Sequence, residues 1–139
     1  MFKNILVAVD GSEHGQKAAR MAGDLARAFQ ANLCVVIAYD PVPKYLGQPY
    51  LDQAITQRLN EADQILKEAL EQIGQVPGAL RREVLEGSPA EAILAVAETR
   101  EIDLIVMGTR GLSRLAGIFI GSQSQKVAAH ARCPVLLVH

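Results

Sequence analysis

Phe2-Lys3-Asn4-Ile5-Leu6-Val7-Ala8-Val9, followed at once by Asp10-Gly11-Ser12, decides the fold. Aliphatic and β-branched side chains fill this run, so it reads as a strand covered on both faces. Just beyond it, Ser12 is placed to cap a helix whose apolar positions Ala18, Ala22, Leu25 and Phe29 step by four, three and four. Leu33-Cys34-Val35-Val36-Ile37-Ala38 is a second buried strand, ended by Tyr39 and Asp40. From Pro41 to Tyr50 three prolines and two tyrosines predict a loop without room for regular hydrogen bonding.

A long amphipathic helix follows, with Ile55, Leu59, Ala62, Leu66, Ala69 and Ile73 on one stripe, and the stretch from Gly74 to Gly78 ends it. Leu80 to Leu85 is a more polar strand that suits a sheet edge. Ser88-Pro89-Ala90-Glu91 predicts a helix start, with Ser88 as cap, Pro89 in the first position and Glu91 reaching back. Ile93, Leu94 and Ala97 form its inner face. Asp103 opens a strand to Met107, a helix runs from Ser122 to about Ala131, and Pro134 to Val138 closes as the last strand. Buried strands alternating with helices predict a doubly wound α/β fold: a parallel sheet, helices on both faces, right-handed crossovers. With 139 residues, half of them hydrophobic, the chain reads as one domain over 1–139.

Function is concentrated after the fourth strand. Gly108-Thr109-Arg110-Gly111 comes directly behind Leu104-Ile105-Val106-Met107, and Gly121-Ser122 completes a G-x2-G-x9-G-S pattern. Glycines at a strand's carboxyl end permit positive φ and close approach of the backbone to a ligand. A helix start after Gly121 offers unpaired N–H groups and a dipole that favour an anion, and phosphate is the natural guest. The hydroxyls of Thr109, Ser122 and Ser124 add donors, and Arg110 and Arg114 bring positive charge. The same residues also admit a plainer reading, in which the glycines turn the chain, Ser122 caps a helix and the arginines are solvated. Asp10 either receives a ribose hydroxyl or a divalent ion beside phosphates, or it initiates the turn and caps the first helix. Val9, Ile37 and Ala38 would form an apolar slot for a base. In doubly wound sheets the ligand sits outside the carboxyl ends of the strands where their order reverses. If the first and fourth strands are neighbours, Asp10 and Gly108 flank one crevice.

Other classes of function recede. A net charge of −1 and a pI near 6.3 leave no basic surplus for nucleic acid. The amino-terminal residues lack the features of a signal peptide, and no apolar run approaches the roughly 18 residues that span a bilayer. The expected location is therefore cytoplasmic, without membrane insertion. Cys34 and Cys133 form no C-x-x-C, and His14, His130 and His139 show no ligand spacing, so the thiols read as structural and no protein metal site is expected. There is no P-loop, no G-x-G-x-x-G after the first strand and no Ser-His-Asp order. No catalytic residue is assigned, and the residues argue for binding more than for turnover.

From end to end the chain resembles the universal stress protein family. The resemblance is carried by ILVAVDGSE from Ile5, Ile37-Ala38-Tyr39, GSPAEAIL from Gly87, DLIVMGTRG from Asp103, GSQSQKV from Gly121 and CPVLLV from Cys133. The glycine pattern is similar to that of the family's ATP-binding branch. The resemblance implies a five-stranded parallel sheet of order 3-2-1-4-5 and a homodimer whose last strands meet. It implies ATP, or ADP or AMP, with adenine near Ala8, Val9, Asp10 and Ile37. Met107, Gly108, Arg110 and Gly111 would contact ribose and phosphate, and Gly121, Ser122, Gln123 and Ser124 would hold the phosphates. Gln123 stands where a small apolar residue is frequent, which leaves its own role open. Mg2+ or Mn2+ on the phosphates and, at most, slow hydrolysis are also implied. The expected function is a stress-response switch, in which nucleotide occupancy biases the loops from Pro41 to Tyr50 and Arg110 to Ile120 and so alters binding of an unidentified protein partner. The alternatives are an enzyme, as a slow ATPase or nucleotide transferase, and a dimeric interaction protein whose glycine loop is purely structural.

Overall fold

Strands and helices alternate along the chain in the computed structural model, which describes residues 1–109 and 121–139. They are β1 (Asn4–Ala8), α1 (Glu13–Phe29), β2 (Asn32–Tyr39), α2 (Tyr50–Ile73), β3 (Leu80–Glu86), α3 (Pro89–Thr99), β4 (Leu104–Gly108), α4 (Ser122–His130) and β5 (Val135–Val138). All strand pairings are parallel, in the order β3-β2-β1-β4-β5, as the resemblance implied. Leu6 at the centre of β1 lies level with Cys34 of β2 and Ile105 of β4.

The reading of the first strand as doubly covered holds. Ile5, Leu6 and Val7 are fully buried, and their alternation feeds two separate cores. Ile5, Val7 and Val9 pack with Ala18, Ala22 and Ala26 of α1 and with Leu66, Ala69 and Ile73 of α2. Leu6, Cys34, Ile105 and Met107 face the other way, against Ile93 and Val96 of α3 and Val127 of α4. β3 takes the polar edge position, with Arg81, Arg82 and Val84 exposed. Cys34 is buried, and that burial, with the charge of Glu83 second, pushes its thiol up to about 11. Cys133 is half-buried and its thiol is also raised, chiefly by burial. Both behave as packing groups rather than reactive thiolates.

Small side chains on α1 set how near α2 can come. A Cβ added to Gly23 would stand 2.3 Å from the Ile73 carbonyl oxygen, so only glycine allows this approach. Arg27 on the next turn donates through Nη1 to the carbonyls of Ile73 and Gln75, each at 2.7 Å. The end of α2 is thereby held by a cation, as its dipole favours.

The segment from Pro41 to Tyr50 departs from the expected irregular loop. A short 3-10 turn occupies Lys44–Leu46 and α2 already begins at Tyr50. The Leu51 N–H finds the Gly47 carbonyl at 2.7 Å, so the backbone is satisfied locally in spite of the prolines. Among the described residues no helix is long and apolar enough to cross a membrane.

Gly23→Ala tests the packing of α1 on α2. Helix propensity alone would raise stability by about 1 kcal/mol. The close approach predicts a loss of about 1–3 kcal/mol in denaturant unfolding, and a stabilised variant would contradict it.

Candidate functional site

β1 and β4 lie side by side, but the chain leaves them toward opposite faces of the sheet. α1, which follows β1, joins α2 over one core; α4, which follows β4, joins α3 over the other. A crevice of about 500 Å³ opens between the departing segments at the carboxyl ends of the strands. Of the described residues expected at the site, Ala8, Val9 and Asp10, then Ile37, Met107 and Gly108, then Gly121, Ser122, Gln123 and Ser124 line it, and Thr109 does not. Arg110, Gly111 and Arg114 lie outside the described residues. A wider hollow of about 740 Å³ along the exposed face of α2 is lined only by that helix, from Asp52 to Gln64, and gathers nothing from the sheet.

Asp10 serves the turn and remains at the crevice. Its Oδ1 accepts the Ser12 N–H at 3.0 Å and the Ser12 hydroxyl as well. The Ser12 oxygen in turn accepts the Gly15 N–H at 3.0 Å, which caps α1 as expected. Asp10 Oδ2 has no partner among the described residues.

The start of α4 is fixed by three contacts. Gly121 N–H donates to the Thr109 carbonyl at 2.6 Å, joining the two ends that bracket residues 110–120. Ser124, buried, donates its hydroxyl to the Gly108 carbonyl at 2.7 Å. Gln123 Oε1 accepts the Ala90 N–H at 3.0 Å and lies 3.5 Å from the Ser88 hydroxyl. The first bond inside the helix runs from Gln125 N–H to the Gly121 carbonyl at 3.0 Å. The N–H groups of Ser122, Gln123 and Ser124 therefore have no helical acceptor, and they stand at the crevice.

Several expectations change here. Gly108, the glycine at the end of β4, is not among the described glycines of positive φ, which are Gly11, Gly47, Gly74 and Gly87, and Gly121 has φ −61° and ψ 154°, extended backbone open to any residue. The Ser124 proton goes to a strand carbonyl rather than to a ligand. Thr109 Oγ1 is engaged by His14 Nδ1 at 3.1 Å, which links the first turn of α1 to the end of β4. Ser88 makes no capping bond with its side chain, and the start of α3 is capped instead by Gln123. Glu91, expected to reach back, lies 3.8 Å from the Lys126 ammonium on the surface.

Residues that the sequence reading missed complete the wall. Arg58, Glu61, Ala62 and Ile65 come from α2, and Pro89 and Ile93 from α3. A signal existed for Arg58: it precedes Ala62 of the apolar stripe by one helical turn and so shares its face. Arg58 has no hydrogen bond or ion pair among the described residues, and it is their one cation on the crevice wall. No group of three or more His, Cys, Asp or Glu able to hold a metal occurs among them.

The class is thus a doubly wound α/β domain with a crevice at its topological switch point. The chain belongs to the universal stress protein family, whose model matches residues 1–139. A universal stress protein of Thermus aquaticus, in the QAH/OAS sulfhydrylase 3′ region, is 52% identical over 140 residues, covering 99% of both chains. Among solved structures, universal stress protein UspA from Lactobacillus plantarum superposes with a TM-score of 0.86 at 29% identity, covering 99% of this chain and 98% of its own. A universal stress protein solved in complex with cAMP gives 0.71 at 26% identity, covering 99% and 96%.

Ser124→Ala would strand the buried Gly108 carbonyl. We expect a loss of about 1–3 kcal/mol in denaturant unfolding, and unchanged stability would show that the contact does not hold α4 in place.

Proposed function

We propose that this protein binds an adenine nucleotide (ATP, ADP or AMP) in the crevice and acts as a nucleotide-dependent switch in the stress response. One observation carries the reading: the open N–H groups at the start of α4 share a single cavity of about 500 Å³ with the apolar ends of β1 and β2. A nucleotide asks for that combination, an apolar slot for the base and an electropositive backbone for phosphate. Val9, Ile37 and Ala38 supply the slot, and Asp10 Oδ2 suits a ribose hydroxyl. The relative bound to cAMP, 26% identical, supports an adenine nucleotide as ligand.

A Mg2+ or Mn2+ ion would ride on the phosphates. Asp10 commits one oxygen to Ser12, and the described residues hold no cluster that would form a protein cage. These groups bind and orient; no step of turnover is assigned to them. The outer edge of β5 has no partner strand among the described residues, which supports the expected homodimer. Changed occupancy would then reach a protein partner through the segments beside the crevice.

Calorimetric titration of MgATP into nucleotide-free protein tests the reading, with Gly121→Val as control. Because φ at Gly121 suits valine, the variant should fold. Wild type should bind near one ATP per chain, and the variant should lose about tenfold or more in affinity as its side chain enters the phosphate space. Absence of wild-type binding, or full affinity in the folded variant, would contradict the site.

A further inference from the structure

Gln123 does two things at once. Its side-chain carbonyl caps α3, and the residue itself lines the crevice beside Ser122 and Ser124. The orientation of its amide is settled by chemistry. The Ala90 backbone N–H only donates, so Oε1 must face it and Nε2 must be the other branch of the fork. Nε2 has no partner among the described residues.

We propose that Gln123 is a specificity-determining residue, whose Nε2 donates to a phosphate oxygen of the nucleotide and favours phosphorylated ligands over the bare nucleoside. The inference rests on the nucleotide reading of the crevice. Two helix amino-termini, those of α3 and α4, meet at this wall. Their positive ends would repel, and the Gln123 carbonyl places the negative end of its dipole on α3. The positive end, carrying two N–H donors, is thereby left for an acceptor on the crevice side. The field of α3 polarises the amide and makes it a stronger donor. The bond to Ala90 also holds the rotamer before any ligand arrives, so little side-chain freedom is lost on binding. A small apolar residue at this position would leave both tasks undone.

The test compares AMP with adenosine, titrated into wild type, Gln123→Met and Gln123→Glu. Methionine keeps the length and adds no charge but removes the donors; we expect AMP affinity to fall about tenfold while adenosine affinity changes by less than about twofold. Glutamate keeps an acceptor for the Ala90 N–H, and so keeps α3 capped if the methionine variant fails to fold. It should weaken AMP at least as much, again sparing adenosine. AMP affinity that is unchanged in either variant, or that falls in parallel with adenosine affinity, overturns the proposal and leaves Gln123 as a brace for α3. Wild-type protein that binds neither compound nor ATP removes the nucleotide reading itself, and the proposal with it.

Discussion

Burial of the two central strands on both faces is the constraint from which the rest follows. β1 and β4 carry no side reserved for water: Ile5, Leu6, Val7, Ile105 and Val106 are fully buried. Helices must therefore cover both faces, and right-handed crossovers send the chain to one side after β1 and to the other after β4. The crevice is the space left where those paths diverge. It exists for reasons of packing, before any ligand is considered.

What converts a gap into a site is the exact seating of α4. Its first turn is tied to β4 through Ser124 and Gly108, to the end of that strand through Gly121 and Thr109, and to α3 through Gln123 and Ala90. Each tie uses a group other than the N–H of Ser122, Gln123 or Ser124, so these donors remain at the crevice. A helix start seated in this way is pre-organised for an anion, since the ordering is complete before binding. In the proposed reading the apolar strand ends would take the base.

The architecture was legible in the sequence because three apolar runs, at Phe2 to Val9, Leu33 to Ala38 and Leu104 to Met107, are too continuous for half-exposed strands. The crevice was legible as a place, since strand ends and glycines mark it. Individual bonds were not. Ser88 and Pro89 marked where α3 starts, but its cap comes from Gln123, 33 residues from Ala90, and no local pattern encodes such a partner. Ser124 looked like a ligand donor because hydroxyls at helix starts serve ligands and strand carbonyls alike. The glycine ending β4 invited a conformational argument, yet Gly108 has no positive φ, and the φ of −61° at Gly121 leaves only a requirement for room there. Arg58 was hidden by the habit of reading charges along a helix as solvated, although its register with Ala62 placed it on the inner face.

The claim that this crevice is an adenine-nucleotide site is tested most directly by amide chemical shifts in isotope-labelled protein, recorded as AMP is added. Saturable shifts are expected at Ser122, Gln123 and Ser124, at Val9 and Asp10, and at Ala90 through Gln123, with β3 and the exposed face of α2 left unmoved. Saturable shifts confined to β3 or to the outer face of α2, with the start of α4 silent, would contradict it.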